Sequence, residues 1–118
     1  MVNDLDKRDI RPWGSYEVLL STPDCKVKQI TVKPGGILSY QYHTKRSEQW
    51  VIVRGSAVVI LDGDRLFRTV GESIKIPLGA CHRILNEEQE DLIFIEVQTG
   101  SYFGEDDIIR IEDEYNRD

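Results

Sequence analysis

Residues Gly35 to Gly55 read GGILSYQYHTKRSEQWVIVRG, and residues Gly71 to Asn86 read GESIKIPLGACHRILN. In the first stretch Gly35, Gln41, His43, Glu48 and Gly55 follow the spacing G-x5-Q-x-H-x4-E-x6-G; in the second, Gly71, Pro77, Gly79, His82 and Asn86 follow G-x5-P-x-G-x2-H-x3-N. In a pleated strand Gln41 and His43 face the same way, because side chains alternate with period 2. That pair offers an amide oxygen and an imidazole nitrogen to one ion, Glu48 adds a carboxylate oxygen, and His82 closes the set from a distant strand. Imidazole with carboxylate suits a divalent transition metal, Zn²⁺ first and Mn²⁺, Co²⁺, Ni²⁺ or Fe²⁺ as alternatives, with positions left for water or substrate. The chain holds two histidines, and both fall on these spaced positions. The plainer alternative is a pair of satisfied polar side chains in a small barrel that binds no metal.

Outward from these motifs the pattern is strand after strand. Runs such as Val27 to Val32, Gln49 to Val53, Ala57 to Leu61, Ser73 to Ile76 and Leu92 to Val97 are rich in Val and Ile and are bounded by Gly, Pro or Asp. Asp62-Gly63 between two such runs reads as a hairpin turn, since Gly accepts the positive φ of a tight connection. Pro34-Gly35-Gly36 and Pro77-Leu78-Gly79 are two further turns, each placed just before a ligand position. Regular short strands with little helix predict a barrel or sandwich.

The chain has 118 residues, enough for one domain with a single core. Residues 1–118 are expected to form that domain, with 1–10 as an N-terminal arm and 104–118 as an acidic C-terminal segment. A net charge of −6 and a pI near 4.9 argue against a nucleic-acid or acidic-membrane surface, so an anionic substrate must be met by a local basic cluster. No apolar run approaches the roughly 20 residues of a membrane span, and the charged N-terminus does not read as a signal, which predicts a cytoplasmic protein. Two cysteines, Cys25 and Cys81, do not make a disulfide framework and are expected to be thiols. Cys81 adjoins His82 and is expected to face away from it.

The double spacing resembles the two signature motifs of the cupin superfamily, and this resemblance implies an all-β, double-stranded β-helix (cupin, jelly-roll-like) barrel. Further stretches narrow it: RPWGSYEVL from Arg11 to Leu19, KVKQITVKPG from Lys26 to Gly35, Ile76 to Gly79 with His82 and Arg83, and IEVQ from Ile95 to Gln98 running into GEDDI from Gly104 to Ile108. With these the chain resembles the type II mannose-6-phosphate isomerase domain of bifunctional mannose-1-phosphate guanylyltransferase/mannose-6-phosphate isomerases. The resemblance implies interconversion of mannose 6-phosphate and fructose 6-phosphate, a step toward GDP-mannose, and a guanylyltransferase as partner. It also marks departures: the family carries histidines where this chain has Thr44, Lys45 and Gln49. The Gln-x-His pair itself is similar to the zinc ligands of type I mannose-6-phosphate isomerases.

Aldose to ketose isomerisation moves a proton between C2 and C1 through an enediol, so a site needs an electrophile for the oxyanion and a base for the proton. Lys28 shares strand parity with Ile30 and Val32 and is one candidate base, since a desolvated lysine loses basicity. Glu96 is the other, and Gln98 on the same strand face is a candidate substrate contact. Arg46, read as part of the loop between His43 and Glu48, and Arg83 are candidate phosphate ligands, because a guanidinium gives two parallel donors to an oxyanion; each could equally lie on the outer surface. Trp13, Tyr16, Tyr42, Trp50 and Tyr102 are expected mainly in the core or a subunit interface. Glu105 to Asp107 reads as a solvated loop, with a second cation site as the alternative. A non-catalytic sugar-binding or regulatory cupin and a metal-dependent oxygenase are the competing functions. A homodimer paired through exposed strand edges is the expected assembly.

Overall fold

A computed structural model describes residues 8–115. Eleven strands run in chain order: β1 Arg8–Arg11, β2 Gly14–Ser21, β3 Cys25–Val32, β4 Tyr40–Tyr42, β5 Arg46–Arg54, β6 Ser56–Leu61, β7 Asp64–Thr69, β8 Ser73–Ile76, β9 His82–Leu85, β10 Leu92–Gly100 and β11 Ile109–Glu112. They form a six-stranded sheet, β1-β2-β3-β10-β5-β8, and a five-stranded sheet, β11-β4-β9-β6-β7. Every pairing is antiparallel. No ladder joins the two sheets among the described residues, so the expected barrel is a two-sheet, jelly-roll form of the double-stranded β-helix rather than a closed cylinder. All five strand runs read from the sequence lie inside observed strands, and the described residues include no helix.

The turn chemistry follows the residues. Asp62 and Gly63 take φ of 47° and 87°, both positive, so the β6–β7 hairpin closes on a two-residue turn matched to the twist of its strands. Of the expected N-terminal arm, residues 1–7 lie outside the described residues, while Arg8 to Ile10 belong to β1, an edge strand paired to β2. Within the expected C-terminal segment, β11 pairs with β4 and residues 116–118 lie outside the described residues.

The core sits between the sheets because alternate residues of each strand face inward. Val32 of β3, Ile52 of β5, Val59 of β6, Ile84 of β9 and Leu92 and Phe94 of β10 are almost wholly buried and belong to one apolar cluster. Burying a side chain of this size contributes about 1.5–3 kcal/mol, so a handful of them outweighs a few polar groups held inside at a cost. Those polar groups lie on the same strands. Lys28 of β3, Arg46 and Glu48 of β5, His82 of β9 and Glu96 and Gln98 of β10 are buried, with His43 just after β4.

Candidate active site

Strand register brings the site together. Gln41 of β4 pairs with His82 of β9, and Arg110 of β11 pairs with Gln41, which puts these three on one face of the smaller sheet. In the larger sheet Glu96 is flanked by Lys28 on one side and Trp50 on the other, and Gln98 lies opposite Glu48. The two faces enclose a small cavity of about 80 Å³, lined by Gln41, His43, Arg46, Glu48, His82 and Glu96 together with Arg11, Tyr16, Lys28 and Arg110.

His43, Glu48 and His82 each offer a ligand atom, and the three atoms lie within 4.8 Å of one another. Donors bound to one ion at about 2.1 Å stand roughly 3–4 Å apart, so the set needs only a small contraction to close on a cation. The imidazoles are already oriented. His43 Nδ1 lies 2.8 Å from the Asp107 carbonyl oxygen and His82 Nδ1 2.9 Å from that of Ala80. A carbonyl only accepts, so each Nδ1 donates to it and each Nε2 is turned toward the centre. His43 Nε2 lies 3.2 Å from Glu48 Oε2, where a cation can take the place of the proton in the hydrogen bond between them. This donor chemistry fits a divalent metal. Gln41 gives its amide nitrogen to Ser39 Oγ at 2.8 Å, which leaves its oxygen as the atom available to the cavity.

Glu48 is held from both sides: Arg46 Nε donates to Oε2 at 3.0 Å and Trp50 Nε1 to Oε1 at 2.9 Å. Burial alone would push its carboxyl up, but the hydrogen bond to His43 and the neighbouring His82 and Arg46 hold it well below the usual carboxylate range. Burial pushes the His82 imidazole below its ordinary value against the pull of Glu48, which favours the neutral, ligating form. Glu96 goes the other way. Its burial, and next the negative charge of Glu48, raise it to about 8 although Lys28 and Arg46 pull it down. Two carboxylates in one cavity therefore differ in habit, one ionised and one holding its proton near neutrality.

The remaining sequence candidates are placed as follows. Lys28 lines the cavity, and its ammonium donates to Glu105 Oε2 at 2.9 Å. Gln98 lies behind Glu96, donating Nε2 to its Oε2 at 2.7 Å, and is not among the cavity-lining residues. Arg46 is not in a loop: it opens β5 and, two residues from Glu48, shares its inward face. Arg83 lies at the cavity margin with its guanidinium engaged by the backbone oxygens of Leu38 (2.9 Å) and Glu112 (3.4 Å). Trp13, Tyr16 and Trp50 are core residues, as expected, while Tyr102 is exposed. The acidic residues near the C-terminus are taken separately. Asp107 accepts from the Thr44 amide and hydroxyl and the Lys45 amide, Asp106 from Tyr102, and Glu105 from Lys28.

Three of these partners escaped the sequence reading: Trp50 as a clamp on Glu48, Asp107 as the residue orienting His43, and Glu105 inside the cavity. The first was available from parity, since Arg46, Glu48 and Trp50 alternate along one strand. Thr44, Lys45 and Gln49, the positions that depart from the family pattern, are all exposed, so none of them removes a group from the ligand cluster.

The profile of the family described as Mannose-6-phosphate isomerase C-terminal matches residues 2–113. The chain belongs to this family. Relatives of the chain include a mannose-1-phosphate guanylyltransferase of Klebsiella pneumoniae, 48% identical over 107 residues that make up 91% of the chain and 23% of that protein. The xanthan biosynthesis protein XanB of Xanthomonas campestris pv. campestris (strain B100) is 49% identical over the same share of the chain, again 23% of the relative. The chain thus spans less than a quarter of the length of these relatives. Among solved structures, a Klebsiella pneumoniae protein with a double-stranded β-helix domain superposes with a TM-score of 0.72 at 23% identity, covering 81% of this chain and 82% of the other. The cupin fold expected from the two spaced motifs is the fold observed.

Proposed function

We propose that the chain is a metal-dependent isomerase interconverting mannose 6-phosphate and fructose 6-phosphate through an enediol. The observation that carries this reading is the placement in one cavity of a ligand cluster, His43, Glu48 and His82, and a second buried carboxylate, Glu96, which burial pushes toward its neutral form. Gln41, His43, Glu48 and His82 would hold the metal, Zn²⁺ first. When bound, a divalent ion supplies Lewis acidity toward the sugar oxygens.

The chain's own groups supply the rest. Glu96 removes the C2 proton in its ionised form and returns a proton to C1 in its neutral form; an acid titrating near the working pH does both. Gln98 behind it fixes the carboxyl's position. Burial of the site excludes bulk water from the enediol. Lys28 and Arg46 inside and Arg11 and Arg110 among the lining residues set positive charge against the phosphate, on a chain whose net charge is −6. Lys28, committed to a carboxylate, serves as a charge and not as the base.

In this reading the chain works in the cytoplasm toward GDP-mannose with a guanylyltransferase as partner activity, and its edge strands, β1 and β8 in one sheet and β11 and β7 in the other, offer places for homodimer pairing. The test is a coupled assay with mannose 6-phosphate before and after chelation and metal re-addition. Turnover that disappears with the metal and returns with it supports the reading; metal-loaded protein that never turns over removes it. One observation favours a second reading, a non-catalytic sugar-phosphate-binding cupin: Glu48 is already satisfied by Arg46 and Trp50. Saturable sugar-phosphate binding without turnover would select it.

A further inference from the structure

Between β10 and β11 the chain folds back across the cavity, and Glu105 reaches in. One carboxylate oxygen of Glu105 stands 2.9 Å from Lys28 Nζ and 3.7 Å from Arg46 Nη1. These two cations come from different strands and their side chains are 4% and 3% exposed, whereas the Glu105 side chain is 39% exposed. Arg46 already has Glu48 at 3.0 Å from its Nε, and a buried ammonium also needs an anion close by, but nothing in that requirement calls for one lent to Lys28 by a surface loop 77 residues away.

We propose that Lys28 and Arg46 form a subsite for a phosphate monoester dianion, and that Glu105 is a built-in placeholder which a phosphorylated ligand displaces. The inference rests on reading the cavity as a sugar-phosphate site, and names the cations that take the phosphate.

The loop is constructed for that exchange. Its backbone is pinned on both sides: the Ser101 amide donates to the Lys45 carbonyl at 2.9 Å, and the Asp107 carboxylate is gripped by Thr44 and Lys45. Gly100 passes so close to the Lys45 carbonyl that a Cβ there would collide with it, so this anchor is tight. Tyr102 and Asp106 tie the loop across its middle. With its backbone held, exchange needs only rotation of the Glu105 side chain toward the solvent it already touches.

The chemistry favours the exchange for one ligand class. Phosphate brings about two negative charges and three acceptor oxygens, against one charge and two oxygens for the carboxylate. It can therefore span the ammonium and the guanidinium together. A neutral sugar offers nothing to replace Glu105, which stays in place. The placeholder thus sets aside unphosphorylated sugars and keeps the buried Lys28 ammonium paired while the site waits.

The test uses the full chain after chelation, so that no metal contact is read as phosphate binding, with inorganic phosphate and mannose 6-phosphate as probes and calorimetric titration and thermal unfolding as readouts. Glu105→Gln is expected to melt below the wild type without ligand, to bind phosphate about tenfold more tightly because its competitor is gone, and to gain more in Tm from phosphate. Lys28→Met is expected to lose the phosphate response, and unphosphorylated mannose to give none with any variant. Phosphate binding by Glu105→Gln that equals or falls below wild type overturns the proposal, as does undiminished binding by Lys28→Met. Should Glu105→Gln not fold, Glu105→Asp, whose shorter arm draws back from Lys28, must show tightening in the same direction, and equal or weaker binding overturns the proposal. Phosphate binding as expected with no isomerase turnover leaves the subsite standing and removes the isomerase reading; turnover with no tightening in Glu105→Gln removes only the subsite.

Discussion

Four strands of this sandwich carry two different inward faces, one at each end. From one end, β10 contributes Leu92 and Phe94, then Glu96 and Gln98; β5 runs the other way, from Arg46 and Glu48 to Trp50 and Ile52; β3 passes from Lys28 to Ile30 and Val32, and β9 from His82 to Ile84. All of these side chains are buried. The change from charge to hydrocarbon falls at one level across four strands, with Trp50 at the boundary, its ring against Phe94 and His82 and its Nε1–H on Glu48. Alternation alone decides what faces inward, while the identity at that level decides whether the inward face stabilises or reacts. The apolar half provides stability, and the polar half is carried by it.

The comparison breaks most sharply at Glu96. Glu96→Gln keeps the shape and removes the titrating proton, so turnover in the coupled assay should fall by about 10²–10⁴-fold while metal content stays at wild-type level. The apolar half should respond in the opposite currency. Phe94→Ala should cost about 3–5 kcal/mol in chemical denaturation, with the turnover of the folded fraction changed far less than in Glu96→Gln.

Smaller effects sharpen the boundary. Asp107→Ala strips acceptors from Thr44 and Lys45 and loosens the carbonyl that orients His43; a stability loss of about 1–3 kcal/mol and metal affinity weaker by about 10–100-fold are expected in denaturation and metal titration. Last is pH. In the metal-free protein Glu96 keeps a proton up to about 8 that the unfolded chain releases near 4.5. Its contribution to stability is therefore full below about 4.5, declines as pH rises toward 8 and is flat beyond. Glu48, Glu105 and Asp107, all held below their ordinary values, act with the opposite sign and lose their contribution as pH falls. The melting temperature of wild type minus that of Glu96→Gln, followed from pH 5 to pH 9, isolates the first slope.

The fold was legible because Gly and Pro punctuate runs whose period is 2, and the cluster of His43, Glu48 and His82 because all three fall on the two spaced motifs, although His43 lies just beyond the end of β4 rather than on the strand with Gln41. Arg46 was misplaced for a local reason: β5 begins at Arg46, three residues before the run that starts at Gln49, and the earlier start puts Arg46, Glu48 and Trp50 on one face. Asp107 and Glu105 were hidden for a different reason. They meet Thr44 and Lys28 across 63 and 77 residues, and no periodicity in a sequence records which loop returns to which strand. Seen alone, their run of acids reads as solvent-facing charge, and only the fold shows it divided among three separate tasks.

The most direct test of the central claim is exchange at carbon. Metal-loaded wild type incubated with mannose 6-phosphate in deuterated water should incorporate deuterium as fructose 6-phosphate forms, followed by proton NMR, and Glu96→Gln with the same metal content should do so at least about 100-fold more slowly. Exchange by Glu96→Gln at the wild-type rate, or product formed equally well after the metal is stripped, would contradict the account.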